Sequence, residues 1–404
     1  MGIVSTTLML QVLIVGQGAT PTIGTALARA GSGDTIRVPA GVYHEHGLRV
    51  GRGITLLGPE SPGEEAVLDG EGNAILTVVD SGVTVAHLVF RNVATSFVDD
   101  RAALLLQDAT DCRIENNVFR DTFFGLYAAR AERCHIADNR FDGPHRSQTQ
   151  SGNAIHLWNS RHMTVEGNQA TGHRDGIYLE FARHAVVNRN ESTGNIRYGL
   201  HFMFSDSSSY TGNHLRNNGA GVAVMYTRVV VMRDNRFERN WGAASYGLLL
   251  KDITDARIED NLFLSNSVGI VAEGSNRLRV TGNTFQRNGS AIRVLANATD
   301  GQFRHNTFLG NTFDVVSNGR ATPSLFEENF WDGYRGYDLD RNGIGDVPFR
   351  PVRLSAVLVA EHAPATILLR SFFLDLLDAA ERVLPILTPL TLVDERPLMR
   401  PPGA

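Results

Sequence analysis

Short strands with alternating apolar and polar residues recur along most of the chain, and each begins at a small residue. A glycine or alanine is followed by apolar side chains one and three positions later, as Gly199 is by Leu200 and Phe202. Side chains of a strand alternate between its two faces. The apolar positions therefore predict an inward face, and the second and fourth positions predict an outward face.

A column of asparagines gives the period of this repeat. Neighbouring members are 22 to 29 residues apart, most often 22 or 23. They are Asn117, Asn139, Asn168, Asn190, Asn213, Asn235, Asn261, Asn283, Asn306 and Asn329. A second column, five or so residues later, runs from Asn195 to Asn311. This period with short strands is typical of a β-solenoid, and we expect the asparagine amides to hydrogen-bond from coil to coil.

The predicted fold is all-β, a right-handed parallel β-helix with coils of about 22 residues, an N-terminal cap and a C-terminal helical tail. Residues 1–20 fit a signal segment and a first strand equally well. We expect a short amphipathic helix and the first coils in residues 18–50, and the β-helix in residues 51–335.

Two further segments follow the predicted β-helix. Residues 336–362 form an Asp/Gly-rich loop and connector, and residues 363–404 form an amphipathic helix with a Pro-rich tail. Leu368, Phe372 and Leu376 lie on one face of that helix. The helix either folds back on the solenoid or docks on a partner, which makes these three side chains candidate partner-binding residues.

Charge and cysteine content exclude several classes of protein. The formal net charge of −5 argues against a nucleic-acid partner, which requires a basic face. The two cysteines, Cys112 and Cys134, are too few for a disulfide scaffold or a four-thiolate zinc site. They occupy matching positions in neighbouring coils, so we expect a buried thiol pair, with an inter-coil disulfide as the alternative.

The outward positions do not have the composition of a solvated face. They are aromatic, thioether and imidazole side chains, which usually mark a binding surface or a covered one. The main members are Tyr127, His156, Trp158, Tyr178, Glu180, His201, Met203, Met225 and Lys251. We call this set the outer stripe, and we predict that Trp158, Tyr178, Glu180 and Lys251 contact a partner.

Thioether and imidazole groups are ligands that select Cu(I) over hard cations. His201, Met203 and Met225 therefore form a candidate copper site, with His156 two coils earlier as a further ligand. The alternative is a covered face in which methionine fills gaps.

The outer stripe also allows carbohydrate chemistry, since Trp and Tyr rings stack on sugars. A glycosidase requires two carboxylates, and Glu180 is the one acid in the densest part of the stripe, with Asp175 nearby. A polysaccharide lyase, hydrolase or epimerase is therefore the competing interpretation.

The sequence "YDLDRNGIGDVPF" contains a partial calcium-loop pattern. Asp338, Asp340, Asn342 and Asp346 supply alternate oxygens, as in loops that bind Ca²⁺. The glutamate expected at the twelfth position is absent. An Asx-rich turn without an ion is the alternative.

Several longer strings resemble the NosD family of CASH-type β-helical maturation proteins for nitrous-oxide reductase. They include "SGNAIHLWNS", "GHRDGIYLEF", "RYGLHFMFSDSSSYTGN", "GAGVAVMYT" and "NFWDGYRGYDLDRNGIGDVPFRP". The resemblance implies a periplasmic, non-catalytic protein that handles Cu(I) transiently during copper-site assembly. It also implies the ABC transporter subunits NosF and NosY, the copper chaperone NosL and the apo reductase NosZ as partners, with contact to the membrane through NosY.

Overall fold

The computed structural model describes residues 10–51, 53–96, 98–318, 324–361, 371–383 and 392–403. The chain separates into two compact units, one ending at Val186 and the other beginning at Val187. Each unit contains three sheets of short parallel strands, and one strand from each sheet makes up a coil. The predicted parallel β-solenoid is confirmed.

Sheet 1 carries the strands predicted from the small-residue pattern, and sheets 2 and 3 follow it within each coil. In the first unit, sheet 1 contains Leu48–Val50, Leu76–Val78, Ala102–Gln107, Phe124–Ala129, Ile155–Trp158 and Asp175–Glu180. Sheet 2 contains Val12–Ile14, Thr35–Arg37, Thr55–Leu57, Thr84–Ala86, Arg113–Glu115, His135–Ala137 and Thr164–Glu166. Sheet 3 contains Gly41–Tyr43, Ala66–Asp69, Leu88–Val93, Val118–Thr122, Arg140–Asp142 and Gln169–Thr171.

The second unit repeats this order. The strand Val186–Asn188 includes the last residue of the first unit. In the second unit, sheet 1 contains Tyr198–Met203, Ala220–Met225, Leu248–Lys251, Val268–Glu273, Ser290–Val294 and Phe313–Ser317. Sheet 2 contains Ser209–Thr211, Val231–Arg233, Arg257–Glu259, Arg279–Thr281, Gln302–Arg304 and Leu325–Glu327. Sheet 3 contains Glu191–Thr193, His214–Arg216, Arg236–Glu238, Leu262–Leu264, Thr284–Gln286, Thr307–Leu309 and Phe330–Trp331.

A single short helix, α1, lies in the N-terminal segment where the sequence predicted a cap. It spans Ile23–Arg29, and Thr22 caps its first turn. The carboxylate of Glu45 accepts hydrogen bonds from the first two backbone N–H groups of α1. These groups have no partner within a helix, so Glu45 satisfies donors that the helix leaves open.

The interior of each unit follows the predicted alternation. Leu200 and Phe202, for example, are fully buried. The asparagine columns form hydrogen-bonded ladders: the backbone N and the Nδ2 of Asn117 donate to Oδ1 of Asn139 at 2.9 and 3.0 Å. In these ladders, the amide oxygen of one asparagine accepts hydrogen bonds from both the side chain and the backbone of the asparagine in the adjoining coil.

Cys112 and Cys134 are both buried and both free thiols. The backbone N–H of Cys112 donates to Sγ of Cys134 at 3.4 Å. Contact with Cys134, together with burial, raises the pKa of the Cys112 thiol. The structure therefore contains the predicted pair of buried thiols.

In the described residues, two helices follow the last coils. The first, α2, spans Leu354–Glu361 and packs Ala356 against Phe313 and Val316 on the outer face of sheet 1. The second, α3, spans Phe372–Val383 and lies within the range in which the sequence predicts a helix. The helix α2 lies in residues 336–362, for which the sequence predicted only a loop and connector.

The C-terminal segment 392–403 pairs with the last coil. Asp394 forms a parallel bridge with Phe326, and Leu398 forms one with Phe330. Asp394 is fully buried. This part of the predicted extended tail is thus part of the solenoid end.

Candidate functional site

Met203 and Met225 lie side by side on neighbouring strands of sheet 1. The strands Tyr198–Met203 and Ala220–Met225 are parallel, and their register pairs Met203 with Met225 and His201 with Ala223. Both thioethers are half-buried on the outer face. The register therefore brings the two predicted sulfur ligands together and places a small residue beside the imidazole.

His201 itself is not exposed, because Tyr198, the first residue of its own strand, covers it. Only 3 % of its surface is accessible. The Tyr198 ring lies 4.8 Å from the imidazole, and its hydroxyl accepts a hydrogen bond from the hydroxyl of Tyr246 at 3.3 Å. The guanidinium of Arg197 lies over the Tyr198 ring at 4.4 Å. His201 therefore lies on the outer face but is covered by side chains of the same chain, as in the covered-face alternative.

An apolar cluster continues this covered surface. Ala223, Leu249, Val268 and Val271 are buried on the outer face, and Met225 packs against them. Met225 therefore combines a packing role with an accessible edge, as expected of a flexible thioether beside an irregular surface.

In the first unit, His156 is held between two tyrosines of the same sheet. Its ring centroid lies 4.6 Å from those of Tyr127 and Tyr178, and only 7 % of the residue is exposed. Its Nε2 lies 3.7 Å from a carboxylate oxygen of Glu180. Burial lowers the pKa of His156, and the Glu180 carboxylate opposes that effect. Burial also raises the pKa of both tyrosine hydroxyls.

The remaining stripe residues are partly exposed. Trp158 is half-buried, and the guanidinium of Arg130 lies 5.8 Å from its ring. The ammonium of Lys251 lies 3.3 Å from the Glu273 carboxylate. The hydrogen bond between these two groups raises the pKa of Lys251. Both Trp158 and Lys251 thus remain available at the rim of the outer face.

The Asp/Gly-rich loop does not support the calcium prediction. The Asp338 carboxylate accepts hydrogen bonds from the backbone of Asn342 and Gly343 at 3.1 and 2.9 Å. The Asp346 carboxylate accepts one from Leu339 at 2.7 Å. Because these oxygens serve backbone amides, the segment has the hydrogen bonding of an Asx-rich turn. Asp340 likewise accepts from Asn342.

The predicted face of the C-terminal helix is exposed where the structure describes it. Phe372 is 81 % exposed and Leu376 is 57 % exposed. Leu368 lies outside the described residues. The apolar face of α3 therefore points away from the protein at these two positions.

Among the described residues, no three His, Cys, Asp or Glu side chains are arranged to hold a metal ion. No helix in the described ranges is long and apolar enough to cross a membrane.

Tyrosine and phenylalanine side chains cover the outer face, which the alternating pattern did not predict. Phe124, Tyr198 and Tyr246 each directly precede the glycine at which a strand pattern begins. Phe124 lies 5.5 Å from Tyr127 and 5.7 Å from His156. This aromatic–glycine pairing is a signal in the sequence that could have predicted the cover.

Two family models and two named relatives match the sequence of this chain. Residues 142–337 match the family model described as periplasmic copper-binding protein NosD, and residues 69–170 match that of a right-handed β-helix region. A probable ABC transporter binding protein NosD from Pseudomonas aeruginosa is 30 % identical over 84 % of this chain and 83 % of its own. A protein of the same name from Stutzerimonas stutzeri is 24 % identical over 91 % and 87 %.

Solved structures show the same fold at low sequence identity. A mannuronic acid-specific family 6 polysaccharide lyase from human gut microbiota has a TM-score of 0.58 and 14 % identity, covering 82 % of this chain and 90 % of that one. The Dettilon tailspike protein has a TM-score of 0.59 and 12 % identity, covering 76 % and 69 %. These likenesses concern the β-helix alone, whereas the sequence relatives and the family models establish that this chain belongs to the NosD family of right-handed β-helix proteins.

Proposed function

We propose that this protein is a periplasmic, non-catalytic accessory factor that binds Cu(I) transiently and relays it for copper-site assembly in nitrous-oxide reductase. The observation that carries the proposal is the paired position of Met203 and Met225 on neighbouring strands. It is supported by the family description as periplasmic copper-binding proteins. Copper is here a cargo and not a resident cofactor.

The donor set suits Cu(I). Neighbouring strands lie about 4.8 Å apart, so the sulfur atoms of two paired, flexible methionines can reach one ion. His201 is two residues before Met203 and on the same face of the strand. To bind the ion, its imidazole has to turn from under Tyr198, which couples copper binding to movement of the aromatic cover. His156 supplies a separate imidazole in the first unit.

An anaerobic Cu(I) titration against a competing chelator tests the proposal. We expect the M203A/M225A variant to bind Cu(I) at least about tenfold more weakly, since loss of a soft ligand pair removes the selectivity for Cu(I). M399A is the matched control, because Met399 is also half-buried but lies in the C-terminal segment. An unchanged affinity in M203A/M225A would refute this site, and no binding by the wild-type protein would refute the copper role.

Association with an ABC transporter is the second part of the proposal. The relatives are named as ABC transporter binding proteins, and we assign the exposed Phe372 and Leu376 of α3 to contact with NosY in the NosF–NosY transporter. Exposed apolar side chains four residues apart are typical anchors for a groove on a partner. F372D/L376D should abolish co-purification with NosF and NosY.

The control for this experiment is L339D, because Leu339 is 79 % exposed but lies in the Asp/Gly-rich loop. Point substitutions are preferable to deletion of residues 363–404, since that deletion would also remove the buried Asp394. Co-purification that survives F372D/L376D would contradict the docking role.

The direction of copper transfer follows from the family resemblance, which has NosL as donor and apo NosZ as recipient. Adding Cu(I)-loaded NosL and then apo NosZ to the protein should move copper in that order. We assign Trp158, Tyr178, Glu180 and Lys251 to the surfaces that meet these partners. Alanine substitution at Trp158 or Lys251, the more accessible positions, should slow transfer without changing Cu(I) affinity.

The competing enzyme interpretation has one observation in its favour, the 3.7 Å approach of His156 to Glu180. The other candidate acid, Asp175, has a fully buried side chain that lies 3.8 Å from the Arg174 guanidinium. Incubation with uronate and neutral glycans separates the two functions. Release of products that depends on Glu180 would favour the enzyme, and we expect none.

A further inference from the structure

Two arginine–histidine pairs lie next to each other at one edge of the first unit, in the turn after sheet 1. Arg161 and His162 belong to one coil, and Arg183 and His184 to the following one, 22 residues later. Arg161 and Arg183 are bridge partners. All four side chains are exposed. We call this set the Arg/His edge.

The two imidazoles are stacked on each other. Their ring centroids are 4.9 Å apart, and the ring planes differ by 8°. His162 and His184 both have left-handed backbone angles, with φ of 52° and 54°. Histidine is one of the few residue types that adopt this conformation with some frequency, so the turn fixes both rings in the same orientation.

In other coils, the corresponding turn carries acidic and basic side chains that pair with each other. Arg133 forms an ion pair with Asp111 at 2.8 Å, and Arg277 forms one with Asp255 at 2.7 Å. At the Arg/His edge, by contrast, neither Arg161 nor Arg183 forms an ion pair with any carboxylate in the described ranges. Glu132, the other bridge partner of Arg161, pairs with Arg133. The edge is therefore a local excess of positive charge on a chain whose formal net charge is −5.

The geometry disfavours a metal ion at this edge. A nitrogen lone pair lies in the plane of its imidazole, so two parallel rings cannot both direct one at a single ion. The two guanidinium groups would also repel a cation. Guanidinium groups are instead well suited to carboxylates, which they bind through two parallel hydrogen bonds.

We propose that the Arg/His edge is a docking surface for an acidic segment of a partner protein, whose carboxylates pair with Arg161 and Arg183 and accept hydrogen bonds from His162 and His184. The charge complementarity is local, so it orients a partner on this edge. Surfaces that bind anionic lipid usually require about four to eight basic side chains. Two arginines fit a protein segment better than a membrane.

Fluorescence anisotropy with a labelled octaglutamate peptide tests the proposal on the full-length protein at about 20 mM salt, where screening is weak. We expect R161E/R183E to weaken binding at least about tenfold. H162N/H184N should weaken it less, since asparagine tolerates the same backbone angles. The matched control is R257E/R279E, which makes the same charge change at two exposed arginines on neighbouring strands of the second unit.

Each outcome decides the proposal. Loss of binding in R161E/R183E with retention in R257E/R279E supports it. An equal loss in both variants would show an unspecific charge effect and overturn it, as would absence of binding by the wild-type protein. Vesicles with about 30 mol % phosphatidylglycerol are the second probe. Binding to these vesicles that depends on Arg161 and Arg183, without binding to the peptide, would identify a lipid surface instead.

Discussion

The carboxylate of Asp394 takes the place of a ladder asparagine for Asn329. The backbone N and Nδ2 of Asn329 donate to Oδ2 of Asp394 at 3.1 and 3.2 Å. This is the pattern with which Asn306 donates to Asn329 one coil earlier. The Nε1 of Trp331 donates to the same oxygen at 2.9 Å. A solenoid end that would otherwise leave buried donors open is thereby closed by the C-terminal segment.

We predict that D394A lowers the free energy of unfolding by about 3–5 kcal/mol, because it leaves the backbone N–H of Asn329 and the Nε1 of Trp331 without an acceptor. D394N keeps an acceptor oxygen and should cost much less. Urea unfolding followed by tryptophan fluorescence measures the loss. Similar losses in both variants would mean that the negative charge, and not the hydrogen bonds, stabilises the end.

The asparagine ladders could be predicted from the sequence because their period repeats along the chain. Asp394 could not, since it lies 65 residues after Asn329 and no local pattern connects them. The register of Met203 with Met225 followed from alternation and period. The burial of His201 did not, because it depends on a tyrosine three residues earlier that folds over the strand.

Acid stability should depend on His173, which occupies a ladder position in the first unit. It follows Asn168 by the same five residues that separate Asn218 from Asn213. His173 is fully buried, and burial lowers its pKa to about 3. An unfolded histidine has a pKa near about 6.5. The unfolded state therefore takes up a proton first, and stability is lost as the pH falls from about 6.5 towards 3.

H173N should remove this part of the pH dependence. We expect the decline in the free energy of unfolding below pH 6.5 to be shallower by up to about 1.4 kcal/mol per pH unit. Urea titrations at several pH values measure it. H162N, a substitution of an exposed histidine, is the control and should leave the slope unchanged. An unaltered slope in H173N would show that this histidine is not the titrating group.

Asp314 should make the protein less stable as the pH rises, which is the reverse of the effect of His173. It is buried near the end of the second asparagine column, where Nδ2 of Asn311 donates to it at 3.3 Å. Burial raises its pKa to about 7, against the attraction of Arg353. The folded state therefore holds a proton that the unfolded state releases, and stability is lost as the pH rises from about 4 through 7.

D314N should be more stable than the wild-type protein at pH 8, by about 2–4 kcal/mol, and nearly equal to it at pH 4. Thermal melting at the two pH values tests this difference. D300N, at an exposed aspartate, should show no such pH-dependent gain. A gain that is the same at both pH values would point to packing in place of ionisation.

Phe204 and Tyr226 occupy a backbone conformation that does not suit them. Their φ angles are 52° and 54°, and the rings are exposed and stacked 5.1 Å apart. The same turn holds Asp252 in a later coil, with φ of 53°. A left-handed conformation costs a bulky residue roughly 1–2 kcal/mol, and stacking returns about 0.5–1.5 kcal/mol.

These opposing effects predict that Y226N changes the free energy of unfolding by less than about 1 kcal/mol, although it removes a stacked ring. Chemical denaturation measures the difference, and Y226F, which keeps both the ring and the strained backbone, is the control. A loss above about 2 kcal/mol would show that the ring is needed for the fold. A change in the free energy of unfolding close to zero would instead mean that exposed aromatic residues lie beside Met203 and Met225 for a reason other than stability. Partner contact at the proposed copper site is such a reason, and Y226N should then slow copper transfer while leaving the fold intact.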